Sequence, residues 1–141
     1  MSGRPRETRR PMYIATTRAI AVTVKPQYLP DQSDPAKSKY VWAYQVRIEN
    51  KGDATVQLRS RHWKITDGLG RTQEVKGPGV VGETPMLRPG DVFEYTSGTP
   101  LSTPSGIMGG TYQMVTESGE KFDIEIPVFS LDTPAAKRNL N

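Results

Sequence analysis

The sequence predicts an all-β fold, an antiparallel sandwich or barrel of about seven strands. Three observations carry this expectation. Apolar and polar residues alternate with a period of two along most of the chain. No window carries the 3.6-residue apolar stripe of an amphipathic helix. The 13 glycines and 12 prolines fall largely between the alternating runs, where they read as turns.

The runs follow in order. Ile20, Val22 and Val24 alternate with polar or small neighbours, and Pro26, then Pro30 to Pro35, closes that run. Tyr40, Trp42, Tyr44, Val46 and Ile48 form the second. Asn50-Lys51-Gly52-Asp53 reads as a hairpin turn into a third run over 55–66. Asp67-Gly68-Leu69-Gly70 leads to Thr72–Lys76. Arg88-Pro89-Gly90-Asp91 is a turn in which proline fixes φ and glycine supplies the positive φ. Val92–Thr96, Ile107–Thr116 and Lys121–Leu131 follow, the last two separated by a Glu117–Glu120 turn. In the final run Phe122, Ile124, Ile126 and Val128 share one face.

The third run changes phase. Val56 and Leu58 point one way, whereas Trp63 and Ile65 take the opposite parity. Arg59, Ser60 and Arg61 lie at the switch. A one-residue phase change requires a β-bulge or a strand that changes sheets, and a bulge can re-aim a side chain toward a function.

The formal net charge of +4 belongs to the ends. Arg4, Arg6, Arg9 and Arg10 against Glu7 give residues 1–12 a charge of +3, and residues 132–141 carry +1. Residues 13–131 hold 13 basic and 13 acidic side chains. The expected organisation is a disordered basic extension over 1–12, one β domain over 13–131 and a flexible tail over 132–141. Patterning begins just after Met12, so Met12 is the expected native start. A net-neutral domain argues against nucleic acid as partner. Without a signal-type apolar run or about 18 consecutive apolar residues, the expectation is a soluble cytoplasmic protein with no membrane partner.

The composition excludes several chemistries. With no cysteine there is no disulfide, thiolate metal site or cysteine nucleophile. His62 is the one histidine, so no histidine cluster can hold a metal. No Asp partner is marked for His62, whose parity places it on the outer face with Ser60 and Lys64. Asp123 and Glu125 read as the polar side of a strand. We therefore expect no catalytic residues, no metal and no cofactor.

One constellation remains. Gly77-Pro78-Gly79-Val80-Val81-Gly82 matches G-x-G-x-x-G. Pro85 and Pro89-Gly90 follow too closely for a helix, so this is no dinucleotide fold. The backbone N–H groups of Gly77, Gly79 and Gly82 could still form a nest for a phosphate, with Arg59, Arg61 and Arg71 as nearby cations. Residues 47–76 hold 7 basic and 4 acidic side chains, and 80–131 hold 2 and 7.

Read together, several fragments resemble the ApaG family: Arg61-x-Trp63-x-Ile65-Thr66-Asp67, Glu74-Val75-x-Gly77-x-Gly79-Val80-Val81-Gly82, Pro85-x-Leu87-x-Pro89-Gly90, Phe93-x-Tyr95-x-Ser97-Gly98, and Gly106-x-Met108-x-Gly110-x-Tyr112-x-Met114. The likeness spans residues 18–131. It implies an immunoglobulin-like or fibronectin type III-like β-sandwich of about seven or eight strands. It also implies a link to cobalt tolerance and magnesium efflux, a suggested nucleotide or pyrophosphate role for the glycine motif, and a recognition role in eukaryotic relatives. It brings no catalytic residues.

The resulting expectation is a non-enzymatic protein–protein interaction module with an unidentified protein partner. Its contact surface is placed in the loops Gly77–Pro85 and Thr99–Gly106. The alternatives are a phosphate, pyrophosphate or nucleotide anion at the glycine loop, and weak divalent-cation binding. Pairing of sheet edges between copies leaves a homo-oligomer open.

Overall fold

The computed structural model describes residues 11–139, the last three by backbone alone. Its elements are β1 (Tyr13–Thr17), β2 (Ile20–Tyr28), β3 (Tyr40–Asn50), β4 (Val56–Asp67), β5 (Thr72–Pro78), β6 (Met86–Leu87), β7 (Val92–Leu101), β8 (Ser105–Thr116), β9 (Lys121–Asp132) and α1 (Pro134–Asn139). Every strand pairing is antiparallel. One sheet runs β1-β2-β3-β7 and the other β5-β4-β8-β9, with β6 beside the start of β4. Two separate sheets decide for the sandwich over the barrel. Leaving β1 aside, three strands face four, in the order of a fibronectin type III domain.

The period-two pattern explains the core. Val22 and Val24 of β2 face Leu58, Trp63 and Ile65 of β4 and Ile124 and Ile126 of β9 across one buried layer that includes Trp42, Tyr44, Val46 and Ile48 of β3. Trp63 is central: its ring centroid lies 5.2 Å from Tyr44 and 6.2 Å from both Tyr112 and Phe129. Each such side chain contributes roughly 1.5–3 kcal/mol by leaving water.

Several boundaries differ from those expected. Asn50–Asp53 is not a hairpin turn, because β3 and β4 lie in different sheets. Asn50 is buried and organises this arch: its Nδ2 donates to the carbonyls of Ala54 (2.8 Å) and Leu87 (2.9 Å), and its Oδ1 accepts from the Gly52 N–H (3.0 Å). Pro26 does not end β2, which continues to Tyr28. Pro26 sits beyond the end of the β1–β2 ladder, where its missing N–H costs nothing. Tyr13–Thr17 forms an edge strand that the sequence pattern did not mark.

Later in the chain, β7 runs through Gly98 and Pro100 to Leu101, and β8 begins at Ser105. Most of the segment expected as the Thr99–Gly106 contact loop is thus strand. Val128 is 66% exposed, whereas Phe129 and Leu131 are buried. A register shift at Met108/Gly110 inverts the phase of β9 there.

The segment after Leu131 also has structure. Asp132 closes β9, and its carbonyl accepts from Trp42 Nε1 (3.2 Å). Thr133 is buried, its N–H donates to Pro104 O, and its Oγ1 accepts from the Ala136 N–H at the start of α1. The basic extension and the start at Met12 concern a segment of which residues 1–10 lie outside the described residues.

Replacing Asn50 with alanine orphans two carbonyls and an N–H at the arch. We expect Asn50→Ala to lower unfolding free energy by about 2–3 kcal/mol in urea denaturation, with an unchanged m-value. A loss within about 0.5 kcal/mol would show that the arch does not depend on these bonds.

Candidate recognition cleft

The phase break in β4 is a bulge. Leu58 pairs with Met114 and Ser60 with Gln113, so Arg59 is the extra residue. Before it, Val56 and Leu58 face the core; after it, Trp63 and Ile65 do. Arg61 shares the parity of Trp63 and Ile65. The bulge therefore turns an arginine toward the inside of the sandwich.

Arg61 lines a cleft of about 420 Å³ between the sheets, on the side where β5 and β7 are the edge strands. Trp63, Val75, Tyr44, Tyr95 and Ser97 also line it, with Val80 and Val81 at its rim. Arg61 Nη1 donates to the carbonyls of Pro78 and Gly79, both at 2.8 Å. Among the described residues Arg61 forms no ion pair with a carboxylate.

The three motif glycines have separate mechanical reasons. A Cβ at Gly77 would lie 3.0–3.1 Å from the guanidinium atoms of Arg61, so glycine lets the cation lie against the backbone. At Gly79, φ is +61° and a Cβ would lie 2.4 Å from the Glu83 carbonyl oxygen. Val80 and Glu83 exchange two N–H···O bonds of 2.8 Å. Between them Val81 (φ 43°) and Gly82 (φ 79°) make a tight turn with both central residues left-handed. Val81 is a β-branched residue in a conformation such residues avoid, and it is 54% exposed.

The structure brings Gly77, Gly79, Gly82 and Arg61 together but not the other two candidates. Arg59 meets the turn only through its carbonyl, which accepts from the Gly79 N–H at 2.9 Å. Its side chain borders a different groove, with Lys121, Phe122 and Asp123. Arg71 stands at the far end of β5, paired to Asp67 Oδ2 (2.7 Å) and Ser102 Oγ (3.0 Å). Within the glycine loop the N–H groups of Gly79 and Val80 donate inside the protein, whereas that of Gly82 meets no backbone acceptor among the described residues.

Three tyrosines back the cleft. The hydroxyls of Tyr95 in β7 and Tyr112 in β8 hydrogen-bond across the sandwich. Burial pushes the Tyr95 hydroxyl well up, and that of Tyr112 likewise. Tyr44 is also raised by burial, in spite of its Ser97 hydrogen bond and the Arg61 charge. All three are neutral hydrogen-bonding hydroxyls at pH 7.

The remaining candidates lie on outer faces. His62 Nε2 is 2.7 Å from Glu74 Oε1. The His62 hydrogen bond holds the Glu74 carboxyl below its usual range. The partner of His62 is thus a glutamate and not an aspartate, brought near by the β4–β5 register, which sets Lys64 opposite Glu74. Asp123 and Glu125 are exposed on β9. Among the described residues no three His, Asp or Glu side chains gather around one point, and no helix is long and apolar enough to cross a membrane.

A family model for the ApaG domain matches residues 30–116, which contain the bulge, the cleft and the glycine turn. The chain belongs to the ApaG family. The ApaG protein of Paramagnetospirillum magneticum is 68% identical over 130 residues, covering 92% of this chain and 100% of its own. That of Parvibaculum lavamentivorans is 64% identical over the same shares. A crystal structure of an ApaA protein from Bordetella pertussis has a TM-score of 0.80 at 55% identity, covering 82% of this chain and 94% of that one.

The buried hydroxyls give this ApaG domain a defined alkaline limit. The folded chain holds the Tyr95 and Tyr112 protons above the ordinary value of 10.0. That contribution to stability is present below about pH 10 and is lost as pH rises through it toward the folded values. We expect tyrosinate absorbance from this pair to appear only together with loss of the near-ultraviolet circular dichroism signal. Its appearance while the tertiary signal persists would contradict the burial argument; Tyr95→Phe identifies the contribution.

Proposed function

We propose that this ApaG domain is a non-enzymatic recognition module whose contact surface is the β5–β7 side of the sandwich. The observation that carries this reading is Arg61. It is aimed inward by a bulge, fixed by two backbone carbonyls, and lacks a carboxylate partner among the described residues. A charge held this way is pre-organised for an acceptor supplied from outside, and fixing it in advance lowers the entropic cost of binding. The cleft is walled by the edges of otherwise buried aromatic side chains, Tyr44, Trp63 and Tyr95, which give it rigid sides. Val81, exposed at the rim in a strained conformation, extends the same surface.

A second reading takes the same cation as the seat of a free phosphate, pyrophosphate or nucleotide anion. Arg61 supports it. Two observations weigh the other way: the internal hydrogen bonds of the Gly79 and Val80 N–H groups, and the separation of Arg71 by about 20 Å of strand. Any part in cobalt or magnesium homeostasis would act through the bound partner.

Affinity capture from native lysate, quantified by mass spectrometry, tests the module. We expect one reproducible protein partner whose recovery falls about tenfold with Arg61→Gln and with Val81→Asp. Val81→Asp adds a negative charge at the rim and relaxes the backbone, so it keeps the fold. Equal recovery by wild type and both variants would overturn this surface. Chemical-shift changes at Gly77, Gly79 and Gly82 with pyrophosphate would favour the second reading.

A further inference from the structure

The backbone of β7 has a direction that can be read residue by residue. Val41 of β3 donates its N–H to Ser33 Oγ and accepts at its carbonyl from the Leu29 N–H. Both of its polar groups therefore point away from β7. Asn50, at the other end of β3, does the opposite: its carbonyl accepts from Gly90 and its N–H donates to Asp91 O. The β3 residues of Asn50's parity bond β7, where they pair with Phe93, Tyr95, Ser97 and Thr99. The other set in β7, Glu94, Thr96 and Gly98, turns its N–H and C=O groups to the free edge. Pro100 has that parity too and presents no N–H.

This edge is open. β7 pairs with β3 alone, and Thr96 and Gly98 are exposed. Native edges are commonly guarded by charge, proline or a bulge. The β5 edge carries Glu74, Lys76 and Pro78, and the β1 side is tied to β9, where the Glu125 N–H donates to Thr17 Oγ1. On β7 Glu94 and Pro100 stand at the two ends of this edge, and the small pair Thr96 and Gly98 between them leaves the backbone unshielded.

The same edge forms one lip of the cleft. Tyr95 and Ser97 point into it from β7, and Arg61 points into it from β4. In a strand added to β7, the residues opposite Tyr95 and Ser97 would send their side chains the same way, into the cleft.

We propose that the β7 edge binds an extended peptide segment by strand addition, and that one acidic side chain of the peptide enters the cleft to pair with Arg61. The inference rests on the recognition reading above and gives it a partner class. Backbone pairing at Thr96 and Gly98 supplies affinity without sequence preference. Arg61 supplies the preference, because its charge is matched by no carboxylate among the described residues. An apolar residue two positions along fits beside Ile65 and Met108, which also line the cleft. The recognised unit is short, a single acidic residue within about four to six residues of extended chain.

Selection from a random-sequence peptide display library against the full chain is the test, followed by binding isotherms. Selected peptides are expected to share one Asp or Glu. Replacing it with the amide should cost about tenfold on wild type and nothing on Arg61→Gln. Thr96→Pro removes one outward N–H at a position of the same parity as native Pro100, leaving the ladder to β3 intact, and should also cost about tenfold. N-methylation along the peptide, which leaves the protein untouched, should weaken binding at alternate residues only. Indifference to Thr96→Pro and to every N-methyl group would overturn strand addition. So would slow exchange of the Thr96 and Gly98 amides in a chain that sediments as a dimer, which would assign the edge to a second copy. Selection of no peptide at all, alongside Arg61-dependent capture of a folded protein, would overturn the peptide while leaving the recognition reading in place. Loss of Arg61-dependent capture itself would sink that broader reading.

Discussion

β4 must feed the same core from both sides of one surplus residue. Its twelve residues carry apolar side chains of one parity at Val56 and Leu58 and of the other at Trp63 and Ile65. Only an extra residue between them, Arg59, lets both sets face inward. Without it Trp63 would turn to solvent and the aromatic contacts with Tyr44, Tyr112 and Phe129 would be lost. The bulge has a second consequence, because Arg61 necessarily inherits the inward parity.

An inward guanidinium is costly unless its donors are bonded. Here the carbonyls of Pro78 and Gly79 receive it, which fixes the shape of the chain after β5. Gly77 must be small for the cation to lie against it, Gly79 must accept a left-handed φ and a close carbonyl, and Gly82 completes the turn. A motif that resembles a phosphate loop is thus accounted for by the support of an arginine. Arg47, His62 and Arg71 of the basic middle segment are engaged in pairs on outer faces, with Glu49, Glu74 and Asp67. Such pairs contribute little stability. Arg61 is the one charged residue that lines this cleft.

Much of the sandwich was legible because alternation is a direct record of burial. The β4 phase break at Arg59–Arg61 was visible for the same reason. The arch at Asn50 was not, since a turn signal marks a change of direction and not the sheet that the next strand joins. The extent of β7 was hidden because Gly98 and Pro100 read as breakers, whereas on an edge a proline is tolerated. Val128 was misplaced because Pro127 and the shift opposite Gly109 invert the phase late in β9. The cleft drew its lining from β3, β4, β5 and β7, and no local pattern could join those four strands. Of the three candidate arginines only Arg61 has core parity within β4, two residues before Trp63 and four before Ile65.

The bulge holds Arg61 inside the β5–β7 side of the sandwich, and the structure as a whole requires that hold to be rigid. The most direct measurement is the nuclear magnetic resonance spectrum of its guanidinium group. A guanidinium bonded to two backbone carbonyls rotates slowly about its Nε–Cζ and Cζ–Nη bonds, so resolved Nη proton resonances with slowed solvent exchange are predicted for Arg61. A single averaged, fast-exchanging signal would contradict the claim and return Arg61 to the exposed surface.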